Sequence, residues 1–189
     1  DICNVIVENA QQNSDFEDFK YNVITNFGIE SPFNEKVFLE KDANILTENL
    51  YKEAKEKYHR KAENIKANVF PVVKNILENP DNKIENIVIP FTDGRRAMKV
   101  VAKLSKVFDS EGLEALKALE RSITLAFIDN EWKEHLREMD FLKQSVYHAQ
   151  YEQKDPLLIY KLEGYELFQS MMDKMNRDII SFLMKAQLH

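Results

Sequence analysis

Between Leu113 and Gln187 the chain carries two long apolar stripes, and a chain that must hide both has few ways to fold. In the second stretch Leu158, Leu162, Tyr165, Phe168, Met172, Met175, Ile179, Phe182 and Ala186 recur at steps of three and four, the period of one helix face. Asp155 and Pro156 mark its start: a carboxylate accepts from the free N–H groups of a first turn, and proline there forfeits no hydrogen bond. Gly164 lies inside this helix at a cost of about 1 kcal/mol, which the stripe outweighs. The first stretch places Leu116, Leu119, Ile123, Phe127, Trp132, Leu136, Met139, Leu142 and Val146 at similar intervals, with one longer step after Phe127. A polar turn of about eight residues between them makes the helices antiparallel. The spacing predicts arms of roughly 30 to 35 residues, on the order of 50 Å long at about 1.5 Å per residue. Trp132, Leu136, Met139, Tyr165, Phe168, Met172 and Met175 are the predicted structural seam.

Upstream the pattern is more broken. Ile2, Ile6 and Val7 read as part of a helix. Ser14 is placed to cap a second helix that turns Phe16, Phe19, Val23 and Phe27 inward and stops at Gly28. Ser31 to Phe33 open a short segment burying Val37, Phe38 and Leu39. A long helix follows from about Ala43 or Thr47, with Leu50, Tyr58, Ile65, Val69 and Ile76 inward, and Pro71 is expected to kink or break it. From Ile84 to Leu104 the period becomes two. Ile87, Ile89 and Phe91 share one face, Met98, Val100, Ala102 and Leu104 another, and Asp93 with Gly94 supplies the reversal of a β-hairpin. Asp109 to Gly112 is a breaker. The predicted fold class is mainly α: a long antiparallel two-helix hairpin plus a smaller helical lobe carrying a β-hairpin insertion.

Composition sets the outer limits. In 189 residues, 44% hydrophobic and 31% charged with only four glycines, the chain describes a soluble, mostly helical protein. It reads as a piece cut from within a longer protein, since it opens without Met and inside a helix-like segment. The single Cys3 has no partner for a disulfide, which fits a reducing compartment. The net charge is −6, with ten acids against three bases in residues 1–50, a balance that argues against a surface coated with nucleic acid.

Motifs for catalysis are missing. No Walker-type phosphate loop, histidine pair at metal spacing or nucleophile elbow occurs, so no catalytic residue and no metal site are assigned. Glu131 and His135 stand one helical turn apart, but one turn supplies too few ligands, and with Glu134 and Glu138 they read as an ion-pairing face. Tyr151, flanked by Gln150, Glu152, Gln153 and Lys154 in the connection, has no evident core to enter. From pattern alone it either covers the hairpin's end or meets a partner.

The run Ile128-Asp129-Asn130-Glu131-Trp132-Lys133-Glu134-His135-Leu136, then Met139 and Asp140, Tyr151 to Pro156, and Tyr160, Lys161, Glu163, Phe168 and Met171, resembles the C-terminal part of the SecA family, motors of preprotein translocation. The resemblance covers Leu113 to the end, with a weaker trace through Glu56, Tyr58, Arg60, Lys61 and Glu63. It implies a helical wing domain over 1–112, with the β-hairpin insertion at about 84–104, and a helical scaffold over 113–189 that forms a two-helix finger. It also implies a fingertip of Gln150, Tyr151, Glu152, Gln153 and Lys154 contacting preprotein and the SecY channel complex, and scaffold helices that restrain the ATPase. Further implied partners are the motor domains of the same chain, with no nucleic acid, and the implied location is cytoplasmic, peripheral to the inner membrane through the translocase. ATP and magnesium would belong to the whole protein, and this stretch, lacking the nucleotide motifs, is expected to be inactive alone. Many relatives carry a basic residue and a glycine just before the tip tyrosine, where this chain has Ala149 and Gln150. A freestanding helical interaction scaffold is the alternative reading.

Overall fold

A computed structural model of the chain describes residues 2–79, 83–149 and 155–189. In chain order these form α1 (Ile2–Gln12), α2 (Phe16–Phe27), α3 (Glu35–Glu40), α4 (Ala43–Leu77), β1 (Asn86–Thr92), β2 (Ala97–Lys103), α5 (Leu104–Asp109), α6 (Leu113–Ala149), α7 (Pro156–Lys185) and β3 (Gln187–Leu188). The fold is mainly helical with one small antiparallel sheet of order β2-β1-β3. Packing divides the chain into two compact units, residues 1–122 with 180–189, and residues 123–179.

The first unit has a core built from α1 to α4 and the end of α7. Val7, Phe19, Phe38, Leu46 and Leu50 are fully buried there, with Cys3 and Met184 beside them. The rings of Phe16, Phe19 and Phe38 cluster at centroid distances of 4.7 to 6.1 Å, spacings at which aromatic pairs add to area burial. Ser14 does not cap α2. Its backbone is left-handed, and Ser14 N–H and Asp15 N–H donate to the Gln11 and Ala10 carbonyls, so Ser14 closes α1. Asp15 is the cap, its side chain accepting from Asp18 N–H at 2.8 Å, and Gly28 ends α2 in the left-handed conformation, as its position predicts. Of the three residues expected inside α3, Phe38 is buried, Val37 half-buried and Leu39 exposed, because so short a helix turns only one side inward.

Pro71 neither breaks nor ends α4, which runs from Ala43 to Leu77. Proline forfeits one hydrogen bond and crowds the carbonyl one turn before it, and the burial of Val69 and Val73 on either side offsets that cost. Three lysines close the ends of other helices. Lys57 donates to the Phe27 carbonyl at 3.0 Å, Lys185 to Thr25 at 2.7 Å, and Lys61 to Leu183 in the last turn of α7. Cations there meet the partial negative charge of a helix C-terminus. Burial and the neighbouring Lys57 push the Lys61 ammonium down to about 8. Tyr58 donates to Glu120 at 2.7 Å, and burial together with that carboxylate raises its phenol well above the ordinary range.

The predicted β-hairpin is present, and its register sets Ile89 opposite Val100 and Phe91 opposite Met98. Asp93 turns its carboxylate back on the reversal and accepts from Arg95 N–H at 2.9 Å and Arg96 N–H at 2.6 Å. Two elements are additional. Leu104, expected to end the strand, instead begins α5, which stacks Phe108 on Phe70 of α4 at 5.7 Å. After α7 stops at Lys185, β3 pairs Leu188 with Phe91 and Gln187 with Thr92.

Candidate functional site: the helical hairpin of the second unit

Within residues 123–179 the seam keeps Met139 and Met175 of the predicted line and otherwise lies one residue to its side. On α6 the inward positions are Glu131, His135, Met139, Leu142 and Val146; on α7 they are Gly164, Leu167, Met171 and Met175. Met175 is therefore buried, whereas Met139 and Met172 are half-buried and Trp132, Leu136, Tyr165 and Phe168 are exposed. One residue is about 100° of helix rotation, enough to move a side chain from the seam to its flank. Gly164 explains where the rotation settles. A Cβ built there would stand 3.1 Å from Met139 Cε and 3.8 Å from Leu142 Cδ2, so the missing side chain is the socket into which the two α6 side chains fit. The apolar stripe of α7 is wider than one partner helix can cover, so Tyr165 and Phe168 lie on its exposed flank.

Two polar residues hold seam positions on α6. Glu131 accepts from Lys174 Nζ at 3.0 and 2.7 Å through its two carboxylate oxygens, tying the arms across 43 residues of sequence. The hydrogen bond to Glu131 raises the Lys174 ammonium above its ordinary value, against a smaller opposing effect of burial. His135 is only 7% exposed. Its ring lies 5.5 Å from that of Trp132 and meets Phe168 edge-on at 5.9 Å, while its Nδ1 is buried without a hydrogen-bond partner among the described residues. Trp132 and Phe168 thus belong to the hairpin as walls around an imidazole rather than as its apolar centre. With Glu131 committed to Lys174 and Glu134 paired to Arg137 at 2.9 Å, the Glu131 and His135 turn is a structural clamp. Among the described residues no three His, Cys, Asp or Glu side chains stand together as metal ligands.

The predicted fingertip, Gln150, Tyr151, Glu152, Gln153 and Lys154, lies outside the described residues. On its far side Asp155 caps α7 as its sequence predicts, accepting from Leu157 N–H at 2.9 Å. Sequence reasoning missed Gly164 as a socket, His135 as a seam residue and the Glu131–Lys174 clamp. The first left a signal, a glycine tolerated within an otherwise strong helix. The clamp left none, because nothing local links positions 131 and 174.

Residues 1–187 match the family model of the SecA wing and scaffold domain. The chain is 44% identical over 188 residues to the protein translocase subunit SecA of Flavobacterium psychrophilum and 44% to that of Christiangramia forsetii. It is 42% identical to the SecA of Porphyromonas gingivalis. All of this chain is covered in each comparison, but it spans only 17% of those relatives' length. No solved structure gives a significant match. A mainly helical chain with a clamped two-helix hairpin, matched along almost its full length by this one family, belongs to the SecA wing and scaffold family.

Proposed function

We propose that the chain is the wing and scaffold part of a preprotein-translocating motor, in which the α6–α7 hairpin couples motor movement to a polypeptide at the mouth of the SecY channel. The clamped seam supports this reading. A rod that passes force from base to tip must not let its arms slide, and a slip of one turn, about 5.4 Å, would separate Lys174 from Glu131 and move Gly164 off Met139. The helical stretches of the second unit, residues 123–149 and 156–179, are each about 35 to 40 Å long at about 1.5 Å per residue. Gln150, Tyr151, Glu152, Gln153 and Lys154 are the proposed contacts with the moving chain, Tyr151 offering a broad apolar ring and a polar hydroxyl. ATP and magnesium are proposed to be held by motor domains elsewhere in the whole protein, whose hydrolysis these helices restrain. The whole protein is proposed to act on the cytoplasmic side, peripheral to the inner membrane.

Tyr151→Ala in the full-length protein tests the reading. Preprotein transport into reconstituted vesicles should fall far more than helical content or nucleotide binding. Equal transport by variant and parent would remove the fingertip role, and crosslinking from position 151 in the assembled translocase would show directly what the tip meets.

A further inference from the structure

The three lysines that close helix ends converge on one cleft of the first unit. Lys57 and Lys61 of α4 and Lys185 at the end of α7 line it together with Arg60, around a cavity of about 1070 Å³. Gly28 makes the convergence possible. A Cβ there would stand 3.0 Å from Lys57 Nζ and 3.1 Å from Lys185 Cγ, so both side chains pass over a residue that has none. Closing helix ends uses only part of what these cations can donate. An ammonium has three N–H groups. Lys57 gives two, to the Phe27 and Gly28 carbonyls, whereas Lys185 and Lys61 give one each, to Thr25 and Leu183. Arg60 is exposed and forms no hydrogen bond or ion pair among the described residues. Carboxylates in the cleft do not balance the cluster. Glu30 and Glu53 are exposed there and form no ion pair with these cations among the described residues. Asp93 is engaged by its own turn, accepting from the N–H groups of Arg95 and Arg96. Burial lowers the Lys57 ammonium and the charges of Arg60 and Lys185 lower it further, while Lys61 is depressed by burial and by Lys57, so these cations repel one another.

We propose that this cleft binds a small soluble phosphate ester, its phosphoryl oxygens accepting from Lys57, Lys61, Lys185 and Arg60 and its organic part lying against Ile29, Ile65 and Leu188. A phosphoryl group carries close to two negative charges on three acceptor oxygens, so it takes N–H groups from several directions at once and supplies the opposite charge that the cluster lacks. The cavity is of the size of small-molecule sites, about 300 to 1,000 Å³, and is walled by apolar side chains beside the cations. An acidic peptide segment fits less well, because its carboxylates are spaced along a backbone while Lys57 and Lys185 meet over one glycine. The proposal is independent of the polypeptide-coupling reading and uses no residue of the hairpin's second unit.

Calorimetric titration of the full 189-residue chain with glycerol 3-phosphate at pH 8 tests it. The ester is a dianion there, since the second pKa of such a group is about 6. One saturable site should appear, competed by inorganic phosphate and absent for glycerol. Binding should take up protons, because the anion restores charge to Lys61, whose ammonium is depressed to about 8; heats measured in buffers of unlike ionisation enthalpy report that uptake. Arg60→Gln should weaken binding about ten-fold, the loss of one charge-assisted hydrogen bond, with helical content unchanged because the side chain is exposed. Lys52→Gln, on the same helix but outside the cleft, should bind like the parent. No saturable binding, binding without proton uptake, unchanged affinity in Arg60→Gln, or equal weakening by Lys52→Gln would overturn the proposal. Tighter binding of polyglutamate than of the ester would overturn it in favour of an acidic peptide segment.

Discussion

The rotated seam predicts that two leucines of the hairpin, both counted on the apolar stripes, differ sharply in what they contribute. Leu142 is 6% exposed and Leu162 is 57% exposed, so the same truncation to alanine compares a seam position with a flank. Leu142→Ala removes a buried side chain and leaves a hole beside Gly164, a change that costs about 2 to 5 kcal/mol. Leu162→Ala leaves no cavity. With less than half of a burial worth about 1.5 to 3 kcal/mol at stake, its cost is about 0.5 to 1 kcal/mol, offset slightly by alanine's helix propensity. Trp132, the chain's single tryptophan, lies against His135 within the same unit, so its fluorescence reports that unit's unfolding. At a urea dependence of about 1 kcal/mol per molar, the midpoint should move by roughly 2 M or more for Leu142→Ala and by less than about 1 M for Leu162→Ala. Equal shifts, or a larger one for Leu162→Ala, would mean that the stripe as read from sequence is the seam and that the burial pattern is wrong.

A double-mutant cycle of Glu131→Gln and Lys174→Met should return a coupling of about 0.5 to 1 kcal/mol, no more because Lys174 is largely exposed, and 1 M salt should shrink it. Lys61 and Tyr58 bias alkaline stability in opposite directions. Because the Lys61 ammonium is depressed to about 8 in the folded chain, the unfolded chain binds more protons from there up to the ordinary lysine value, and this group's contribution rises with pH across that window. Denaturant titrations of Lys61→Met should lack that rise, and an identical pH profile in parent and variant would exclude it. The Tyr58 phenol is held protonated, so above about pH 10 the unfolded chain loses a proton that the folded chain keeps, and stability falls. Tyr58→Phe should lose less stability than the parent there, and ultraviolet titration should find one tyrosine that ionises only on unfolding.

Much of the fold was legible because its signals are local. Helical periodicity located α2, α4, α6 and α7, and the change to period two with Asp93 and Gly94 between the runs marked the hairpin. Gly28 and Asp155 were readable as caps because their side chains, or the lack of one, act within a turn. The missed features are decided at a distance or by small margins. Ser14 and Asp15 are both good capping residues, and the choice fell to Asp15 because closing α1 claimed Ser14 for a left-handed turn. β3 spans two residues, too few for any alternation, and exists because β1 offers it an edge.

The seam shows how a helix pattern can be right in period and wrong in phase. Hydropathy counted Trp132, Leu136, Tyr165 and Phe168 as the buried line, and by transfer free energy alone they would be. Side-chain fit also counts, however, and at Gly164 the missing side chain leaves room for the tip of Met139 and a methyl of Leu142 when that side of α7 faces them. With that side fixed, Glu131 and His135 are carried into positions that hydropathy would deny them. Glu131 remains charged there because Lys174 reaches it, and His135 is accommodated between the rings of Trp132 and Phe168. Such polar seam residues add little net stability, but their partners exist at one register only, so a slipped hairpin would strand a largely buried carboxylate. The apolar stripe makes the arms associate, while the glycine socket and the clamp decide which faces meet and hold them there.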